Sequence, residues 1–106
     1  MPTYIMVYGA DQASDTADLP EEEVTKQMKV WGDWLGSIGP KVKDDGDAFK
    51  FGGKVVSQSG VDEADNLLTG YSIIEADNFD EAVAFARECP AVKEGGKVHV
   101  YEAFGL

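Results

Sequence analysis

Residues 70–89 read GYSIIEADNFDEAVAFAREC and carry the signals of a strand followed by a helix. Residues 70–76 are rich in residue types that favour strands. Asn78 can cap the helix, with Glu81 at the reciprocal position of a capping box, and Pro90 marks its end. The apolar residues between them recur at helical spacing and share one face: Phe79, Ala82, Val83, Ala86 and Cys89. This stretch predicts one strand–helix unit.

A second strand–helix unit is predicted near the start of the chain. Residues 3–8 alternate and are rich in strand formers, so they predict the first strand. Asp18 can accept a hydrogen bond from a free backbone N–H at a helix start, and Pro20 presets φ there. We therefore expect a helix over residues 20–38, stopped by Gly39-Pro40. Its apolar stripe is Val24, Met28, Trp31, Leu35 and Ile38.

The remaining segments complete a βαββαβ order. Residues 41–44 are a short candidate strand, and residues 97–104 are the last strand. Residues 49–56 predict a small hairpin on a Gly52-Gly53 turn. Two βαβ halves of this length predict one domain, residues 1–106. Its expected fold is an α+β sandwich of ferredoxin-like type with an inserted hairpin.

The charge excludes several classes of partner. The chain has 20 Asp and Glu against 9 Lys and Arg, a formal net charge of −11. Nucleic acids and anionic membranes need a basic patch, so we expect neither as a partner. The apolar run of residues 1–10 has no basic residue ahead of it and is too short to span a membrane. We interpret it as a strand and expect a cytoplasmic protein.

The sequence predicts no metal and no cofactor. Cys89 is the only cysteine, so no intrachain disulfide can form, and one cysteine with one histidine cannot fill a zinc site. The acidic runs at residues 44–47 and 62–65 lack the glycine and glutamate spacing of a calcium loop. Cys89 lies on the apolar face of the second helix, where we expect a buried, inert thiol.

Two helices can cover only one face of the predicted sheet, and strand side chains alternate between the faces. An aliphatic set suits helix packing: Ile5, Val7, Val98 and Val100. We expect the other set to be uncovered: Tyr4, Met6, Tyr8, Tyr71, Ile73, His99 and Tyr101. An exposed patch of this size is unusual on a soluble monomer. It predicts a homodimer through this face, with a small-molecule cavity between the two sheets.

Five segments carry a family resemblance through their order and spacing. They are residues 4–8 (YIMVY), 31–39 (WGDWLGSIG), 69–76 (TGYSIIEA), 79–82 (FDEA), and Cys89-Pro90 followed by 95–100 (GGKVHV). Together they resemble the YCII-related domain family, in the branch often named for a DGPF motif. The resemblance covers most of the chain and implies a ferredoxin-like fold that forms a dimeric α+β barrel.

The resemblance also implies an activity from which this chain departs. Some relatives look like lactone isomerases or dehydrochlorinases, associated with a histidine on the first helix and an aspartate near the end of the second. Here the first helix has no histidine, and Cys89 precedes Pro90 where an acid is expected. Residues 61–66 read VDEADN, so the DGPF stretch is absent. The fold carries over, and the dyad chemistry does not.

His99 is the only histidine and therefore the candidate acid–base group. Paired with Glu75, it could move a proton on a small carbonyl or lactone substrate; the plainer alternative is an interface histidine bonded across the dimer. The candidate ligand-binding residues are aromatic: Tyr4, Tyr8, Tyr71, Tyr101 and Trp34. We favour a non-catalytic dimeric domain that binds a small molecule. The alternatives are an isomerase or lyase that uses His99 and a subunit that only mediates assembly.

Overall fold

A sheet of four strands forms the centre of the structure. The computed structural model describes residues 1–14 and 19–105. The strands are β1 (Thr3–Gly9), β2 (Val42–Ala48), β3 (Lys54–Ser57), β4 (Gly60–Glu63), β5 (Leu68–Glu75) and β6 (Lys97–Glu102), and the helices are α1 (Glu21–Ile38), α2 (Phe79–Arg87) and α3 (Pro90–Lys93). The central sheet has the order β2-β5-β1-β6, and β3 and β4 form a separate two-stranded sheet.

The topology confirms the predicted α+β class. Every neighbouring pair in the central sheet is antiparallel. The strand order and the placement of α1 and α2 between strands are compatible with a ferredoxin-like fold. All three helices contribute to the cluster packed on one face of the sheet, so the other face lacks their cover.

The helix α1 packs through its C-terminal half only. Trp34 and Ile38 are its buried residues, whereas Met28 of the predicted stripe is 71% exposed. The predicted apolar stripe of α1 therefore extends beyond the part of the helix that packs on the core. The predicted cap at Asp18 lies outside the described residues. The three glutamates of the first turn, Glu21 to Glu23, place negative charge at the positive end of the helix dipole.

The helix α2 begins as its sequence predicts. The Asn78 side chain accepts a hydrogen bond from the Glu81 backbone N–H at 2.9 Å. The Glu81 carboxylate accepts from the Asp77 N–H and from Lys41 Nζ, which lies 2.6 Å away. The Lys41 hydrogen bond and then the Asp77 N–H hold the pKa of Glu81 below its ordinary value. The Lys41–Glu81 ion pair therefore links the first turn of α2 to the residue that precedes β2.

The inserted hairpin is present, but its predicted turn is wrong. The strands β3 and β4 pair with Ser57 opposite Gly60, so the turn lies at residues 58–59. The Gly52 and Gly53 N–H groups instead donate to the side-chain oxygen of Asn66, at 2.9 and 3.1 Å. The glycine pair therefore anchors the base of the hairpin rather than its tip.

The predicted orientation of β1 is also wrong. Tyr4, Met6 and Tyr8 are 1%, 0% and 4% exposed and lie under the helices. Edge-to-face contacts between aromatic rings explain this choice of face. The Tyr8 ring lies 4.6 Å from Trp31 and 5.9 Å from Trp34, centroid to centroid. Alternation separates the two sets of residues in β1, and these contacts decide which set is buried.

The Tyr8 hydroxyl is buried near the Ser72 hydroxyl, but it makes no hydrogen bond of ordinary geometry with any described residue. Burial raises the pKa of this phenol well above its ordinary value. Its neighbour in the core, Ser72, donates its hydroxyl to the Asp45 carbonyl at 2.6 Å. The two hydroxyls therefore make opposite contributions to stability, because an unpaired buried polar group costs desolvation free energy that a paired one recovers.

A close backbone approach shapes the edge strand β2. Gly46 has φ +76°, and a Cβ added there would lie 1.6 Å from the Tyr71 carbonyl oxygen. Register shifts on both sides of Asp44 accompany this approach. A residue with a side chain at position 46 would have to push β2 away from β5.

Replacing Gly46 with alanine is expected to lower the free energy of unfolding by about 3 kcal/mol or more, because strain at positive φ and a backbone clash add together. Gly39 is the matched control, since its φ is +70° and its added Cβ meets no atom within 4 Å. Gly39→Ala introduces backbone strain without a clash, because Gly39 also has a conformation that favours glycine (φ +70°, ψ −131°), so it should cost less than Gly46→Ala. Urea unfolding at one protein concentration measures both, and equal losses would contradict the predicted clash.

Removing the Tyr8 hydroxyl is expected to stabilise the protein. Tyr8→Phe should raise the free energy of unfolding by about 1 kcal/mol, because the deleted group is buried and unpaired. Ser72→Ala also deletes one buried hydroxyl but leaves the Asp45 carbonyl without its donor, so it should lower stability by about 1 kcal/mol. Thermal and urea unfolding test the pair of variants, and a loss of stability in Tyr8→Phe would show that the hydroxyl is satisfied.

Candidate functional site

The candidate site is the face of the central sheet that lies opposite the helices, which we call the open face. Cross-strand neighbours share a face, so the strand register defines its members: Ile5, Val7, Tyr71, Ile73, Glu75, His99 and Tyr101. All of them are exposed or half-buried in the single chain. Tyr101 is 63% exposed. The open face therefore has an apolar centre formed by Ile5, Val7 and Ile73, and aromatic, imidazole and charged side chains, including Glu75 and Lys97, surround it.

The structure places four of the predicted site residues on the open face, Glu75 among them, and buries the other three in the core. Tyr71, His99 and Tyr101 lie on the open face, as expected from the alternation of β5 and β6. Tyr4, Tyr8 and Trp34 lie in the core on the helix side. Trp34 donates its indole N–H to the Phe85 carbonyl at 3.0 Å, which makes it a packing residue between α1 and α2.

His99 and Glu75 share the open face but lie far apart within one chain. His99 is opposite Val7, and Glu75 is opposite Thr3, on strands that flank β1 from either side. Strand spacing and rise place their Cα atoms roughly 16 Å apart. The nearest charge to the Glu75 carboxylate is Lys43 Nζ, at 4.0 Å. A direct His99–Glu75 pair within one protomer is therefore excluded.

The edge strand β2 adds residues to the open face that the sequence analysis missed. Asp47 is opposite Tyr71, and Asp44 is opposite Ile73. Phe49 follows in the same direction and stacks on Tyr71, with ring centroids 6.3 Å apart. The predicted strand ended at residue 44, and the register shifts that carry β2 to Ala48 have no signal in a single sequence beyond the glycine at 46.

Two shallow grooves lie on the helix side of the molecule. One, of about 430 Å³, lies between α1 and α3 and is lined in part by Val30, Trp34, Ser37 and Pro90. The other, of about 310 Å³, lies beside the edge strand β6 and includes Val83, Val98 and Val100. Of the predicted site residues, Trp34 lines the first groove, whereas His99 and the tyrosines line neither groove.

The described residues offer few reactive groups elsewhere. Cys89 is buried, and burial raises the pKa of its thiol to about 11. It is therefore a neutral thiol near pH 7, with low nucleophilicity. Across residues 1–14 and 19–105, no group of three or more His, Cys, Asp or Glu side chains is placed to hold a metal ion. Within the same ranges, no helix is long and apolar enough to cross a membrane.

Comparisons with known proteins place the chain in a family without adding a defined activity. No curated protein matches the sequence. The family model of the YCII-related domain matches residues 3–104, which include every strand of the central sheet and all three helices. The chain therefore belongs to the YCII-related domain family.

Proposed function

We propose that this protein is a homodimeric domain that binds a small molecule between two facing sheets. The observation that carries the proposal is the open face, a four-stranded sheet surface on which none of the three described helices packs. A second copy offers the same surface, and in a two-fold symmetric dimer the same patch of each subunit packs on its counterpart. Packing two open faces completes the dimeric α+β barrel that the family resemblance implies.

The sizes of the open-face side chains support a cavity inside this dimer. The central strand β1 presents Ile5 and Val7, whereas the flanking strands present Tyr71 and Tyr101. Facing sheets pack about 10 Å apart. Large side chains that meet along the flanks hold the sheets apart, and the smaller residues of β1 leave space between them. The space is apolar, with a few phenol and imidazole groups at its sides.

This lining indicates the kind of ligand. Small-molecule sites are mostly apolar and use a few polar groups to orient the ligand. Tyr71, His99 and Tyr101 supply donors and acceptors around the valine and isoleucine floor. A small, largely apolar ring compound with one or two polar atoms fits this combination.

The alternative of an isomerase or lyase requires a proton-transfer partner for His99. Among the described residues of the same chain, His99 has no side-chain hydrogen bond or ion pair, and Glu75 lies in another row of the sheet. No observation on a single protomer favours catalysis over binding. We therefore propose ligand binding as the function of the open face.

The dimer is expected to dissociate when charge is placed at the centre of the open face. The wild-type chain should sediment at twice its 11.4 kDa mass at micromolar concentration. Ile73→Lys should sediment as a monomer, because two ammonium groups would be buried in the interface without partners. Met28→Lys is the control, since Met28 is exposed on α1, and it should remain dimeric. A monomeric wild type would overturn the proposed dimer.

The ligand site is expected to be visible in a crystal structure of the dimer. We predict an enclosed cavity of about 300 Å³ or more between the sheets, lined by Tyr71, His99 and Tyr101. Density for a bound small molecule or for ordered water should occupy it. A dimer whose sheets meet with side chains filling the interior would overturn ligand binding and support a purely assembling subunit.

A further inference from the structure

The two edges of the open face carry opposite charge. On the β2 edge, Asp44 and Asp47 are in register with residues of the open face. On the β6 edge, Lys97 and His99 alternate with the helix-side residues and so lie on the open face. The interior strands place Glu75 on this face, next to Lys43. The β2 edge is therefore acidic on balance, although Lys43 belongs to β2, and the β6 edge is basic or neutral, while the whole chain carries a net charge of −11.

The acidic and basic groups occupy the same rows across the sheet. One row runs Asp47, Tyr71, Val7, His99, each residue opposite the next. A second row runs Asp44, Ile73, Ile5, Tyr101. Asp47 and His99 are thus at the same height along the strands, at opposite ends of one row.

This arrangement distinguishes two ways of packing one open face on another. A two-fold axis parallel to the strands keeps the height of every row and exchanges the edges, so β2 of one copy meets β6 of the other. An axis across the strands keeps the edges, so the aspartates of the two β2 strands meet each other. Like charges opposed across an interface cost binding free energy, and complementary charges favour it. The parallel axis is therefore preferred.

We propose, on the basis of the dimer proposed above, that the site between the sheets is composite: His99 of one protomer faces Asp47 of the other at each of two equal seams. Lys97 lies in the row beyond His99 on β6, whereas Asp44 lies in the Tyr101 row, so these two charges do not meet and add only to the net charge of their edges. Asp47 already accepts a hydrogen bond from the Ala48 N–H at 2.8 Å. A carboxylate has capacity for a further donor.

The composite arrangement supplies a carboxylate partner for His99, which a single protomer lacks. A carboxylate that accepts from one imidazole nitrogen sets the ring's orientation and leaves its other nitrogen directed elsewhere. Here the other nitrogen is available to the cavity beside Tyr71 and Tyr101. The ligand class that this group recognises is a small ring compound with a weakly acidic or strongly accepting substituent, such as a phenol or a carboxylic acid.

Charge reversal tests the pairing. Asp47→Lys and His99→Asp should each raise the dissociation constant of the dimer by about tenfold or more, because the first removes the carboxylate that accepts from His99 and the second opposes two carboxylates at each seam. The chain carrying both substitutions restores a Lys–Asp pair at each seam and should return to within about threefold of the wild type. With the axis across the strands, the doubly substituted chain would oppose lysine to lysine and aspartate to aspartate, and no recovery would occur.

Sedimentation equilibrium gives the dissociation constants, with Asp33→Lys as the control for net charge. Asp33 is exposed on α1 and pairs with Lys29, so its reversal should change the constant by less than about threefold. Circular dichroism verifies folding, and Asp47→Asn with His99→Gln provides a double-mutant cycle if a reversed variant is unfolded. A dimeric wild type without recovery or coupling overturns the composite site alone. A monomeric wild type overturns the underlying dimer.

Discussion

The packing of Tyr8 against Trp31 and Trp34 is the constraint on which the remaining structure depends. The three rings meet edge to face in the core, with centroids 4.6 to 5.9 Å apart. Because side chains alternate along a strand, burying Tyr8 also buries Tyr4 and Met6. It equally directs Ile5 and Val7 to the other face. A single cluster between β1 and α1 thus decides the composition of both faces of the sheet.

The side-chain sizes on the open face follow from the burial of Tyr8. Had the tyrosines of β1 been directed outward, the middle of the face would be filled by large rings. Instead it has Ile5 and Val7 at its centre and tyrosines on the flanking strands. A surface with a low apolar floor and aromatic sides suits a partner that closes over it and leaves space within. The proposed dimer and the proposed cavity are consequences of the same side-chain sizes.

The family match describes the fold of this chain, whereas its reactive side chains have to be considered separately. The YCII-related domain match accounts for residues 3–104 as a fold. The match carries no activity with it, and in this chain α1 has no histidine and the buried thiol of Cys89 precedes Pro90. The remaining histidine lies on β6, on the opposite side of the sheet from the helices. The single histidine of this chain therefore lies on the open face rather than beneath the helices.

The sequence by itself determined the features that depend on neighbouring residues. The Asn78 cap, the helix over residues 21–38 and the alternation of β5 and β6 follow from local hydrogen bonding and periodicity, and the structure has them. Tertiary contacts decided the rest. The Tyr8 cluster selected the buried face of β1, the Asn66 side chain displaced the hairpin turn, and the approach of Gly46 to Tyr71 carried β2 to Ala48. Each of these joins residues distant in the chain, so no local pattern could specify it.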